Sequence, residues 1–429
     1  MINIVITHGY SDSNKGDLAI TLATVLGLKK AFPVSRITLL STFRAEDPDF
    51  WYHNRKMKEM GIEIISGVLP TPYIGNQASF LHNIQAVYRL IKDVAQLKIS
   101  LFSNFLGQIL GGSQYKAVHV LKEADLIVVK GGQFIYNDKE DLRGNLFLWR
   151  TLQPIKVARQ LNKKVILLGQ SIGGFASSKS EKVAIKYLSM CDRVVVRESL
   201  SYDLLESYGI RHLELQPDLA FYIEQGNKDF DFSMANGNEI LGITIVNWTF
   251  PEKSNPKMAK ESYIENLMDS IEDASKKWGL FPVLIPQVTV RHHGKSDLDL
   301  MEKIHKELKT RGIDSLVLSE DFSVEEMVNI YSKCKLLIGT RLHSCILSAV
   351  AGTPVIAIRY QGFKTQGVMQ QLGLGEFVHD INNLKSNGIS RDINIIMETF
   401  DIQKDNISKR VTELKEDLEN VFHGLRDWV

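Results

Sequence analysis

Short apolar runs that end in glycine or arginine and hand over at once to a helical pattern recur throughout this chain, and they leave few folds open. Leu336-Leu337-Ile338 stops at Gly339, and residues 345–351 then read as a buried helix that Gly352 and Pro354 end. Residues 3–7, 36–41, 62–66, 124–129 and 164–168 have the same strand-like character in the first half, as do 240–246, 281–285, 315–318 and 355–358 in the second. Strands separated by helix-length segments pair in parallel, because a parallel partner needs a crossover. The predicted class is α/β with mostly parallel sheets.

With 429 residues the chain exceeds one ordinary core, so two domains of roughly 200 residues each are expected. Residues 224–238 are polar and weakly periodic, which makes them the linker. The expected division is a first Rossmann-like domain over 1–223 with a helical insertion over 73–122, and a second over 239–380. A helical segment over 381–429 completes the chain and is expected to pack back across the cleft. A net charge of +1 gives no bulk attraction to nucleic acid. Cys191, Cys334 and Cys345 have no metal-ligand or disulfide spacing, and no apolar run reaches the length of a membrane span. The N-terminus lacks a secretory layout, so a cytoplasmic protein is expected, with contact at the inner membrane face allowed.

The sharpest site signal is Gly339-Thr340-Arg341-Leu342-His343-Ser344. It sets a fixed cation and an imidazole at a helix N-terminus, where unpaired N–H groups favour anions. Ligands of open α/β sheets bind beyond the carboxyl ends of the strands, so this turn is expected in a site. Arg193-Val194-Val195-Val196-Arg197 repeats the pattern in the first half; an Arg197–Glu198 surface pair is the competing reading. The turns Lys130-Gly131-Gly132-Gln133 and Gly169-Gln170-Ser171 let backbone approach either a ligand or a packed helix. Asn14-Lys15-Gly16-Asp17 is a sugar or anion turn, or a polar loop with Asp17 near a helix start. His292 and His293 are neighbours without a carboxylate or thiol at ligand spacing, so no metal site is expected. Ile84, Val87, Tyr88, Ile91, Val94 and Ala95 sit at helical spacing and read as an amphipathic helix packed on the sheet; the alternative is that Phe102, Phe105, Leu106, Ile109 and Leu110, flanked by Lys98 and Lys116, touch a membrane surface.

These pieces together resemble the polysaccharide pyruvyl transferase family. Asn14-Lys15-Gly16-Asp17, the Lys130-Gly131-Gly132 turn, Gly169-Gln170-Ser171-Ile172-Gly173, Val196-Arg197-Glu198-Ser199, Pro217-Asp218 and Gly339 to Ser344 carry the resemblance in order, along nearly the whole chain. Arg359 to Lys364 matches chiefly through Lys364. The resemblance implies two Rossmann-like domains facing across a cleft, as in GT-B glycosyltransferases. It also implies transfer of pyruvate from phosphoenolpyruvate to two hydroxyls of a sugar as a ketal, in a lipid- or nucleotide-linked glycan destined for capsule or exopolysaccharide. Arg197, Arg341 and His343 match functional positions and are the expected catalytic residues. Asn14, Asp17, Gly131, Gly132, Gln133, Gln170, Ser171, Ser344 and Lys364 are the expected substrate-binding ones.

The residue types suit that chemistry. Phosphoenolpyruvate presents a carboxylate and a phosphate, each a match for a guanidinium fork. One arginine from each domain would grip the donor, while His343 either moves protons or binds the acceptor's diphosphate. No cofactor beyond the donor is expected. A nucleotide-sugar glycosyltransferase and a non-catalytic glycan-binding subunit are the alternatives.

Overall fold

The computed structural model describes residues 1–72, 80–228, 230–289, 296–360, 362 and 364–428; His292 and His293 lie outside them. Two compact units are present. The first comprises Met1–Asp12, Ile20–Leu219 and Asp417–Val429, and the second Ser13–Ala19 and Ala220–Glu416. The expected α/β class holds in both.

The first unit is built on β1 (Ile2–Gly9), β2 (Ser35–Ser41), β3 (Glu63–Ser66), β4 (Leu126–Val129), β5 (Gly132–Asn137), β6 (Val165–Phe175), β7 (Arg193–Val196) and β8 (Leu213–Leu215). Their order is β3-β2-β1-β4-β6-β7-β8, with β5 paired to β6 off that path, and every pair is parallel. Leu126 to Val129 are buried throughout, as a central parallel strand covered on both faces must be. β5, β6 and β8 differ from the sequence expectation, which has no strand at β5 or β8. The strand expected over 164–168 runs on to Phe175, because Gly169, Gly173 and Gly174 take positive φ and let the chain kink without leaving the sheet. The Gly131-Gly132 turn leads into β5 rather than into a helix.

The second unit contains β9 (Ile240–Thr244), β10 (Phe281–Leu284), β11 (Leu316–Val317), β12 (Cys334–Gly339), β13 (Val355–Arg359) and β14 (Val378–Asp380). These pair in parallel in the order β11-β10-β9-β12-β13-β14. Counted within the unit this is the dinucleotide-binding order, third-second-first-fourth-fifth-sixth, and its direction reverses between β9 and β12. The expected capping box forms at Ser323, whose hydroxyl accepts from Glu326 N while the Glu326 carboxylate accepts from Ser323 N. The N-terminal helix begins at Lys15 rather than at residue 18, so Lys15, Gly16 and Asp17 are its first turn.

The first unit's sheet also reverses direction, between β1 and β4, and His8 lies at the end of β1. It is buried with φ +67°, stacks on Phe134 at 4.4 Å, and places Nε2 2.8 Å from the Thr151 carbonyl. Burial lowers its pKa from 6.5 to about 4. The unfolded chain therefore takes up a proton below pH 6.5 that the folded chain refuses until about 4. Stability is full above the upper value and falls with pH through that window, by about 3 kcal/mol in total. Urea midpoints of the wild type and His8→Gln across this range are expected to show a slope that the variant lacks; parallel curves would overturn the assignment.

Candidate active site

The reversal between β9 and β12 opens a crevice at the ends of the two strands, and the chain fills it with hydroxyls. Thr340 N donates to the Thr244 carbonyl at 3.1 Å, and the Thr244 and Ser344 hydroxyls are 2.6 Å apart. Ser344 also donates to the Arg341 carbonyl at 2.6 Å, so this expected substrate contact is a buried brace of the turn. The helix Leu342–Val350 starts immediately, with Arg341 at its N-cap and no side-chain cap. A cation at that position works against the helix dipole.

Asp297 supplies the compensation. Its carboxylate is fully buried and accepts from Val288 N at 3.0 Å, from Gln287 N at 3.3 Å and from Arg341 Nη2 at 2.5 Å. Burial on its own would lower the Arg341 pKa, but Asp297 and a hydrogen bond with Tyr360 raise it above the ordinary arginine value. The cation is held charged and aimed. Arg341 Nε is buried and makes no hydrogen bond among the described residues. Burial would push the Tyr360 phenol up; Lys364 and Arg341 outweigh it and bring the phenol below its usual pKa. Lys364 Nζ lies 5.8 Å from the Tyr360 ring centroid, which places that expected residue beside the same group.

Asn14 and Asp17 belong to this site, not to the first unit where sequence order would put them. Asn14 bridges to Val288, Lys15 N donates to the Gln287 carbonyl at 3.0 Å, and Thr289 N donates to Ser13 O at 3.0 Å. The short backbone pairing lashes the helix start to the segment that holds Asp297. It also sets Gly16 against His343 so closely that a Cβ on Gly16 would fall 2.2 Å from Nδ1 of the ring. Asn14 Nδ2 donates to Asp17 Oδ2 at 2.6 Å, and Lys15 Nζ lies 2.5 Å from Asp321 Oδ1. Two motifs from opposite ends of the sequence thus come together in the second unit: Asn14 and Asp17 beside Val288, with Gly16 against His343, and Arg341 with Asp297, Tyr360 and Lys364.

The remaining expected residues lie in the first unit and are organised differently. Arg197 is 2% exposed, donating from Nη1 to Asp218 at 2.6 Å and from Nε to Ser171 Oγ at 2.8 Å. With Asp218 wholly buried, this is a matched internal ion pair rather than the surface pair with Glu198. Glu198 instead caps the next helix through Ser201 N. Gln170 is buried and donates to the Lys130 carbonyl. Gly131 is needed for packing, since its Cβ would meet Gly169 O at 2.7 Å; Gly132 takes φ +141°, and Gln133, half-buried, follows on β5. The first-unit set therefore braces the ends of β4, β6 and β7.

Two Rossmann-like units, the second with a cationic helix N-terminus at its topological switch point, define a GT-B-like enzyme fold. Solved structures agree on that fold. UDP-N-acetylglucosamine 2-epimerase from Neisseria meningitidis, bound to UDP-N-acetylglucosamine, aligns over 100% of both chains with a TM-score of 0.56 at 11% identity. A trehalose 6-phosphate synthase from Burkholderia multivorans aligns over 99% of this chain and 96% of its own with a TM-score of 0.55 at 10% identity. Sequence narrows the class. The profile of the polysaccharide pyruvyl transferase family matches residues 14–362, and the chain belongs to that family. It is 26% identical over 307 residues to the amylovoran biosynthesis protein AmsJ of Erwinia amylovora, covering 68% of this chain and 70% of that one.

Proposed function

We propose that this enzyme moves pyruvate from phosphoenolpyruvate to two hydroxyls of one sugar in a lipid- or nucleotide-linked glycan, as a step of exopolysaccharide or capsule assembly at the cytoplasmic side. The observation that carries the reading is Arg341: a guanidinium fixed by Asp297 at a helix N-terminus, with its Nε–H buried and without a hydrogen bond among the described residues. That arrangement suits a donor that carries both a carboxylate and a phosphate. AmsJ, the relative named for amylovoran biosynthesis, supports the polymer context.

The reaction balances on the site's own groups. One sugar hydroxyl adds to the enol carbon while the methylene carbon gains a proton. The phosphate C–O bond then breaks as the second hydroxyl closes the ring, and inorganic phosphate leaves with that hydroxyl's proton. No external cofactor is required. His343 and Tyr360 are the groups for the proton steps, and Arg341 with Lys364 holds the donor's charges. Asn14 and Asp17 face the same site and orient acceptor hydroxyls. Within the first unit, Arg197 positions Ser171.

Phosphate release measured against a panel of sugar diphosphates and lipid-linked oligosaccharides is expected to require both phosphoenolpyruvate and an acceptor. Thermal stabilisation by UDP or GDP, with none by phosphoenolpyruvate and no phosphate released with any acceptor, would replace this reading with a glycosyltransferase.

A further inference from the structure

Ten of the 24 exposed large apolar side chains among the described residues fall within thirty positions, Leu81 to Leu110. Such clustering is not the scatter of single apolar residues that any surface shows. On the helix Phe80–Phe102, Leu81, Ile84, Val87, Ile91 and Phe102 fall within about 120° of arc at 100° per residue, so they form one stripe. The short helix Asn104–Leu110 extends it with Phe105 and Ile109, and Phe102 and Phe105 are 87% and 70% exposed.

The opposite face is what the helix buries: Ala86 and Leu97 are in the core, and Asp93 is bound by Arg44 in a buried pair, Nη1 to Oδ1 3.0 Å. That pair fixes the helix's rotation. The apolar stripe is therefore held outward rather than left over from a loose fit.

Charge selects the occupant. Between residues 80 and 122 the only acid is Asp93, which Arg44 neutralises; the next, Glu123, ends the helix Gly112–Glu123. Arg89 is paired with Asp47, while Lys92, Lys98, Lys116 and Lys122 are exposed. A chain whose net charge is +1 thus carries a surplus of cations on and around this apolar face. A symmetric contact with a second copy would set those cations against each other. An anionic bilayer takes both features at once, with apolar side chains at the acyl boundary and lysines at the headgroups.

We infer that the face formed by helices Phe80–Phe102 and Asn104–Leu110 is a docking surface for an anionic lipid membrane. Co-sedimentation of the full chain with phosphatidylcholine vesicles, with and without about 30% phosphatidylglycerol, tests it. Binding is expected to the anionic vesicles only, and to fall several-fold as salt rises from about 0.1 M to about 0.5 M. The double variant Phe105→Ser/Ile109→Ser is expected to lose it by at least about tenfold with an unchanged Tm, since both side chains are exposed. Recovery in the supernatant with both vesicles, or equal binding to neutral ones, would overturn the inference. Self-association that the double variant abolishes would overturn it in favour of a second copy. The vesicles contain no glycan acceptor, so the result stands or falls apart from the proposed reaction.

Discussion

Replacing Arg341 with alanine is expected to lower kcat/KM for phosphoenolpyruvate at least about a hundredfold, or about 3 kcal/mol of transition-state stabilisation. The residue is the cation nearest the start of the helix Leu342–Val350, and leaving phosphate builds negative charge where such a group acts best. The variant has a second effect that must be separated from the first. Among the described residues Asp297 would remain fully buried with the backbone amides of Gln287 and Val288 alone, which costs about 3–5 kcal/mol of stability. The double variant Arg341→Ala/Asp297→Asn removes the stranded charge, so Tm is expected to recover while turnover does not. Arg341→Lys, which keeps the charge but not the planar fork, is expected to fall between the two. Wild-type kcat/KM in a folded double variant would exclude Arg341 from donor binding.

Gly16→Ala is the second large effect, and by composition it is the smallest change one can make to this chain. The new methyl would sit 2.2 Å from His343 Nδ1, 2.7 Å from Cγ and 2.9 Å from Cε1. The backbone of residue 16 cannot retreat, because its neighbours are tied to Gln287 and Val288. The ring has to move, and a displacement of about 1 Å at a reacting group costs about a hundredfold in rate. The loss is expected in kcat, with KM for phosphoenolpyruvate near wild type because Arg341 is undisturbed. A folded variant with unchanged kcat would show that His343 does not need its present position. A raised KM with unchanged kcat would assign the ring to binding.

Most of the strands are legible in the sequence because an apolar run that ends in glycine or arginine can be read locally, whereas β5, β8 and β14 carry no such signal. Arg341 and His343 were legible for the same reason: their strand, turn and helix are contiguous. Asp297 was not, since a carboxylate opening a helix reads as a cap, and only the fold reveals that its oxygen points to a guanidinium 44 positions away in sequence. Tyr360 was hidden because a tyrosine after a strand has no special pattern; Lys364 and Arg341 give it one in space. Asn14 and Asp17 were recognised as a motif but assigned by sequence order to the first half. Chain order misleads there because residues 13–15 pair with 287–289 through backbone hydrogen bonds that no local propensity encodes. Arg197 has the same strand-end signature as Arg341, and nothing local in the sequence shows that Asp218 pairs with it.

The assignment of Asp417–Val429 to the first unit bears on how this protein comes off the ribosome. Gly27 leaves room for the Phe422 ring, Lys30 pairs with Glu419, and Arg426 donates to the Ala31 carbonyl. These partners are translated some four hundred residues after the helix they complete. The first unit therefore stays unfinished throughout synthesis of the second, with the groove for Phe422 uncovered. Docking of residues 417–428 onto the helix Lys15–Ala31 therefore follows synthesis of the second unit.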